Sequence, residues 1–209
     1  CLTLQLEIFD LPFCLCSFSN GEIIPMKILM PLSALLISST VCAEDFFAQM
    51  VLQDVTFQVE SPNAGSINPV TVSAETSDGS IGKMETEADG TITNVEVEDL
   101  NADGYPEIYI YVNSAGSGSY GSLIAYASNK NKSLSEIYLP PIEEGSAEAN
   151  GYMGHDEFAV VESTFVRRFP VYKDGDPNSS PSGGTRQIQY KLEAGEAGWI
   201  LRQDRVEEY

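Results

Sequence analysis

The 209-residue sequence carries 31 Asp and Glu against 11 Lys and Arg, a formal net charge of −20. Phosphate recognition depends on clustered Lys and Arg, so this balance argues against nucleic acid as a partner and favours the steering of cationic proteins. The length suits one domain with a sizeable core and is too short for two typical ones.

Residues 1–25 begin at Cys1, are apolar without helical period, and are set aside as a non-native upstream segment. Met26-Lys27, the apolar run 28–41 and the small-residue end Val41-Cys42-Ala43 predict a signal peptide over 26–43, with cleavage after Ala43. A lipid anchor on Cys42 is the competing reading, but Val41 is a poor residue before a lipidated cysteine. The expected mature domain is 44–209. All four cysteines (Cys1, Cys14, Cys16 and Cys42) precede it, so its stability must come from packing rather than disulfides. With Lys27, Glu7, Asp10 and Glu22 set aside, it carries a net charge of −18. Its apolar runs are too short to span a bilayer, which predicts a soluble product with no membrane partner.

From residue 55 onward the pattern has period two. Val55, Phe57 and Val59 alternate with Thr56 and Gln58, the signature of a half-buried strand. Strands are predicted at 55–59, 70–74, 91–97, 107–112, 122–127, 158–162, 165–172, 187–192 and 199–203. Turn clusters such as Ser77-Asp78-Gly79 and Asp174-Gly175-Asp176-Pro177-Asn178 separate them. Ile108, Ile110 and Val112 would face one side of their strand and Tyr109 and Tyr111 the other, which makes it central. The expected fold is all-β: a single-domain antiparallel β-sandwich or barrel with at most a short helix, at 142–150.

Asp99-Leu100-Asn101-Ala102-Asp103-Gly104 places oxygen-bearing side chains at alternate positions before a glycine, as a calcium loop does, and Glu107 adds a carboxylate. Ile110 stands where the full twelve-residue pattern wants Glu, and Pro106 with the following strand forbids a second helix. The favoured reading is an Asx-rich turn with no cofactor; a calcium-binding secreted β domain with a structural or adhesive role is the alternative.

Ser114-Ala115-Gly116-Ser117-Gly118-Ser119-Tyr120-Gly121 separates two apolar strands. Small residues let such a loop approach another surface closely, leaving Ser117 and Tyr120 to make specific contacts. Gly116, Gly118 and Gly121 also spell a dinucleotide-binding pattern, with Glu136 in place for a ribose. The pattern needs a helix opening at the third glycine, whereas 123–128 runs into the turn Asn129-Lys130-Asn131-Lys132.

His155 is the single histidine. A zinc site is improbable without cysteines in the mature domain, and adjacency to Asp156 does not make a catalytic triad. Tyr152 and His155 either hydrogen-bond internally or extend a binding surface. Arg167 and Arg168 are consecutive on a strand and point to opposite faces, so they cannot form one basic patch. The paired carboxylates Glu143-Glu144 and Glu207-Glu208 look solvated, and no acid and base stand in separated environments. The chain therefore reads as a binding module, not an enzyme.

Three stretches carry a family resemblance: the 114–121 loop, Ser135-Glu136-Ile137-Tyr138-Leu139-Pro140-Pro141, and Gly151-Tyr152-Met153-Gly154-His155-Asp156-Glu157-Phe158. Over about 50–209 the chain resembles the PliI family, periplasmic inhibitors of invertebrate-type (I-type) lysozyme. The resemblance implies a periplasmic homodimer whose partner is that lysozyme and whose loop plugs the enzyme's active site. The family's functional serine and tyrosine match Ser117 and Tyr120, with Gly116, Gly118, Ser119, Gly121, Tyr152 and His155 as further contact candidates.

Overall fold

In a computed structural model, which describes residues 45–196 and 198–209, every regular element is a β-strand. The proposed upstream segment, the leader and all four cysteines lie outside the described residues. One sheet has the order β1 (Phe46–Leu52), β2 (Val55–Ser61), β3 (Ile67–Thr76), β4 (Gly79–Asp89). The other contains β5 (Thr91–Glu98), β6 (Glu107–Asn113), β7 (Gly121–Ser128), β8 (Leu134–Tyr138), β9 (Glu157–Val161), β10 (Thr164–Pro170), β11 (Thr185–Ala194) and β12 (Trp199–Glu208). Its spatial order is β5-β6-β7-β8-β12-β11-β10-β9.

All pairings are antiparallel except β8 with β12, where Trp199 lies beside Ile137 in a parallel register. The antiparallel expectation fails only there. The chain leaves β8, crosses through residues 139–156 and builds β9 to β12 as a second meander, whose last strand joins β8 running the same way. The 142–150 segment holds turns rather than a helix, with Ser146 N–H donating to the Glu143 carbonyl and Asn150 N–H to that of Ala147. Among the described residues no helix is long and apolar enough to cross a membrane.

Period-two burial on β6 explains the layers. Ile108, Ile110 and Val112 enter a core shared with Val55, Phe57 and Val72 of the first sheet. Tyr109 and Tyr111 enter a second core with Phe165, Phe169 and Ile188 of β10 and β11. Tyr109 stacks on Phe165 with ring centroids 5.7 Å apart. β6 is thus buried on both faces, as its unbroken β-branched and aromatic run requires.

The eight-stranded sheet curls around the second core until its two edges meet. The Val160 N–H of β9 donates to Glu96 Oε2 of β5 at 2.7 Å, and the same carboxylate accepts the buried Tyr111 hydroxyl. This side-chain bond ties the two edge strands together without a backbone ladder between them.

Candidate functional site

The 114–121 loop is the connection of the β6–β7 hairpin, opened where Asn113 faces Gly121. Its foot is stapled by Ser114: its N–H donates to the Tyr120 carbonyl at 2.9 Å, and its Oγ accepts the Tyr120 N–H at 3.0 Å. Ser119 N–H donates to the Gly116 carbonyl at 3.0 Å and closes the tip. Ser117 is exposed, and the Tyr120 ring remains 49% accessible.

The loop's glycines have separate reasons. A Cβ on Gly118 would fall 2.5 Å from the Tyr120 ring, and one on Gly121 would lie 2.6 Å from both Asp156 Cβ and the Phe158 ring. Gly116 has open space around it. No helix opens at Gly121, which starts β7 instead, and a dinucleotide site has no structural basis there.

Residues distant in sequence hold the loop. Gly121 N–H donates to Asp156 Oδ2 at 2.8 Å, His155 N–H to the Gly118 carbonyl at 2.7 Å, and Asn178 Nδ2 to the Ser117 carbonyl at 2.9 Å. The Tyr120 ring meets the edge of Tyr152, centroids 5.7 Å apart. The Asp156 side chain is fully buried and pairs with Arg167 Nε at 2.7 Å, while Tyr152 Oη donates to Asp156 Oδ2 and accepts from Arg167. Burial opposes the Arg167 charge, yet the Asp156 bond and charge outweigh it and hold the guanidinium above its ordinary pKa. Burial likewise pushes the Tyr152 phenol upward and keeps it a donor.

Of the two alternatives open for Tyr152 and His155, the structure takes the internal one for their polar groups. Tyr152 turns its hydroxyl to the ion pair, and the His155 ring stacks on Tyr172 with Nε2 3.2 Å from Asn178 Oδ1. Arg167 and Arg168 do part: the second bonds Gln187. Sequence reasoning does not reach Asp156 and Asn178 as loop partners, nor Arg167, which holds the loop only through Asp156. The only local signal was the polar turn around Asn178, since Asp156 reaches the loop across 35 positions and Asn178 across 61.

The structure also gathers Asp99, Asp103 and Glu107, with one carboxylate oxygen from each lying within 4.8 Å of the others. Such a set could hold a hard cation. The turn's own bonds already use oxygens of its side chains: Asp99 accepts the Asp103 and Gly104 N–H groups, Asp103 accepts that of Tyr105, and Asn101 accepts the Asp103 N–H. Glu107 is buried and accepts the Leu100 N–H at 2.9 Å; burial pushes its pKa up to about 8.

The family model described as "Periplasmic lysozyme inhibitor of I-type lysozyme" (PliI) matches residues 58–148, a span that contains the whole 114–121 loop. The chain belongs to this family. Two solved structures are each 30% identical to it. Aeromonas hydrophila PliI in complex with Meretrix lusoria lysozyme aligns over 44% of this chain and 80% of that one, with a TM-score of 0.38. Aeromonas hydrophila PliI by itself aligns over 44% and 84%, with a TM-score of 0.39. No curated protein matches the chain. The PliI match ends at residue 148, short of the 50–209 span expected from sequence, so β9 to β12 lie beyond it.

Proposed function

We propose that this PliI-family chain inhibits I-type lysozyme by inserting the 114–121 loop into the enzyme's cleft. One observation carries the reading: within the matched span, the β6–β7 loop presents Ser117 and Tyr120 outward from a backbone fixed at both ends. A retaining lysozyme holds its two carboxyl groups roughly 5 to 5.5 Å apart in a cleft shaped for an extended sugar chain, and a narrow loop fits such a space. The Ser117 hydroxyl both donates and accepts, which suits one protonated and one ionised carboxyl group. Tyr120 supplies an aromatic anchor with a polar tip, a residue type enriched at interface hot spots. The reading is one of binding without turnover, set in the periplasm after removal of the 26–43 leader, with the homodimer implied by the family resemblance as its assembly.

Inhibition by Ser117→Ala and Tyr120→Ala variants tests it. Each should weaken binding by about 1 to 3 kcal/mol, roughly 5- to 150-fold, while melting stays near wild type because the loop tip lies outside both cores. Unchanged inhibition by a folded double variant would refute insertion and shift attention to 151–158.

A further inference from the structure

We propose that β9 to β12, with the crossover that precedes them, form a platform that fixes the 114–121 loop in its binding conformation before it meets its target. This inference rests on the lysozyme-inhibitor reading and extends it to residues beyond the matched span, which ends at 148.

Three contacts at different loop positions come from that later chain. Asn178 takes the Ser117 carbonyl, the His155 backbone takes that of Gly118, and Asp156 takes the Gly121 N–H. They leave the Ser117 side chain and half of the Tyr120 ring unoccupied. The holders are themselves fixed. Asp156 is locked by Arg167 and Tyr152; Asn178 is held through its carbonyl by the Tyr172 hydroxyl at 2.8 Å and faces the His155 ring. Shape supports the same assignment: Gly154 has φ +88°, and a Cβ there would come within 2.1 Å of the Gly118 carbonyl oxygen, so the two backbones are in direct contact.

A glycine- and serine-rich loop left alone would sample many conformations and lose that freedom on binding, an entropic cost incurred at every backbone residue fixed. Restraint before the encounter removes part of that cost. Asp156, His155 and Asn178 are therefore positioning residues: they act through the loop's backbone.

The test uses the full chain carrying Asn178→Ala, which deletes a surface side chain, or Gly154→Ala, which pushes on the Gly118 carbonyl. Melting temperature, amide hydrogen exchange across 114–121 and inhibition of an I-type lysozyme are measured for each. Both variants should speed exchange at the loop amides. Asn178→Ala should also weaken inhibition roughly 3- to 10-fold with melting unchanged, an outcome that a merely structural role would not give. Wild-type exchange and inhibition in both variants would overturn the platform. Loss of inhibition in Ser117→Ala and Tyr120→Ala beside wild-type behaviour in the platform variants would sink this inference alone. Full inhibition by the Ser117 and Tyr120 variants would sink the underlying reading, with loop exchange still deciding whether the platform orders the loop.

Discussion

At Ser117 the backbone and the side chain face different tasks: the carbonyl is bound by Asn178, while the hydroxyl stands at an exposed position. Glu107 shows the opposite arrangement, a carboxyl enclosed at the start of β6 whose accepting oxygen serves the Leu100 N–H. Its pKa near 8 in the folded chain exceeds the ordinary value of 4.5, so the folded state binds more protons between those limits. Stability must then fall as pH rises from about 4.5 to about 8, by about 1.4 kcal/mol for each unit of displacement at most. Glu107→Gln keeps an acceptor for Leu100 and removes the titration. Melting curves from pH 5 to 8 should decline for wild type and lie flat by comparison for the variant; parallel curves would contradict the assignment. Chelator should leave the wild-type midpoint unchanged, because the 99–105 turn is held by its own bonds. A drop with chelator would make Asp99, Asp103 and Glu107 cation ligands.

At the scale of elements, the two glycines at the ends of the pattern make a contrast. An added Cβ at Gly116 meets nothing within 4 Å, whereas at Gly121 it would collide with Asp156 and Phe158. Gly116→Ala should melt like wild type, and Gly121→Ala should lose about 1–3 kcal/mol, several degrees for a domain of this size. Equal melting would mean that the hairpin shifts freely against β9. The same contrast shows which elements were legible. β2 and β6 announced themselves because Val55, Phe57 and Val59, and then Ile108, Ile110 and Val112, alternate cleanly into the first core. β1 is not marked in the sequence because Phe47 and Val51 place apolar residues on its exposed face as well, which erases the alternation. β4 buries few apolar side chains, chiefly Ile81 and Ala88, and carries Lys83, Glu85 and Glu87 outside, so no apolar alternation marks it in the sequence. β8 is only five residues long. At the loop, local composition points to Ser117 and Tyr120, both exposed in the fold, but no spacing rule links Gly121 to Asp156 or Ser117 to Asn178, whose meeting depends on the curl of the whole sheet.

For the whole molecule, the governing features are the charge and the doubled core. A net charge of −20 acts over distance, and such charge alters encounter more than the docked complex. Raising salt should slow association with a cationic lysozyme and leave dissociation nearly unchanged; an association rate insensitive to salt would reduce the charge to a solubility feature. The doubled core places β6 and β7 between two layers, and their hairpin loop leaves at the end where β7 is only half-buried.

Whether the protein is an inhibitor of I-type lysozyme is decided by titrating it, purified, into lysozymes of the invertebrate, chicken and goose types with residual cell-wall lysis as the readout. The I-type enzyme should be inhibited near stoichiometric ratio and the other two far less. Full activity of the I-type enzyme in the presence of excess folded protein would contradict it.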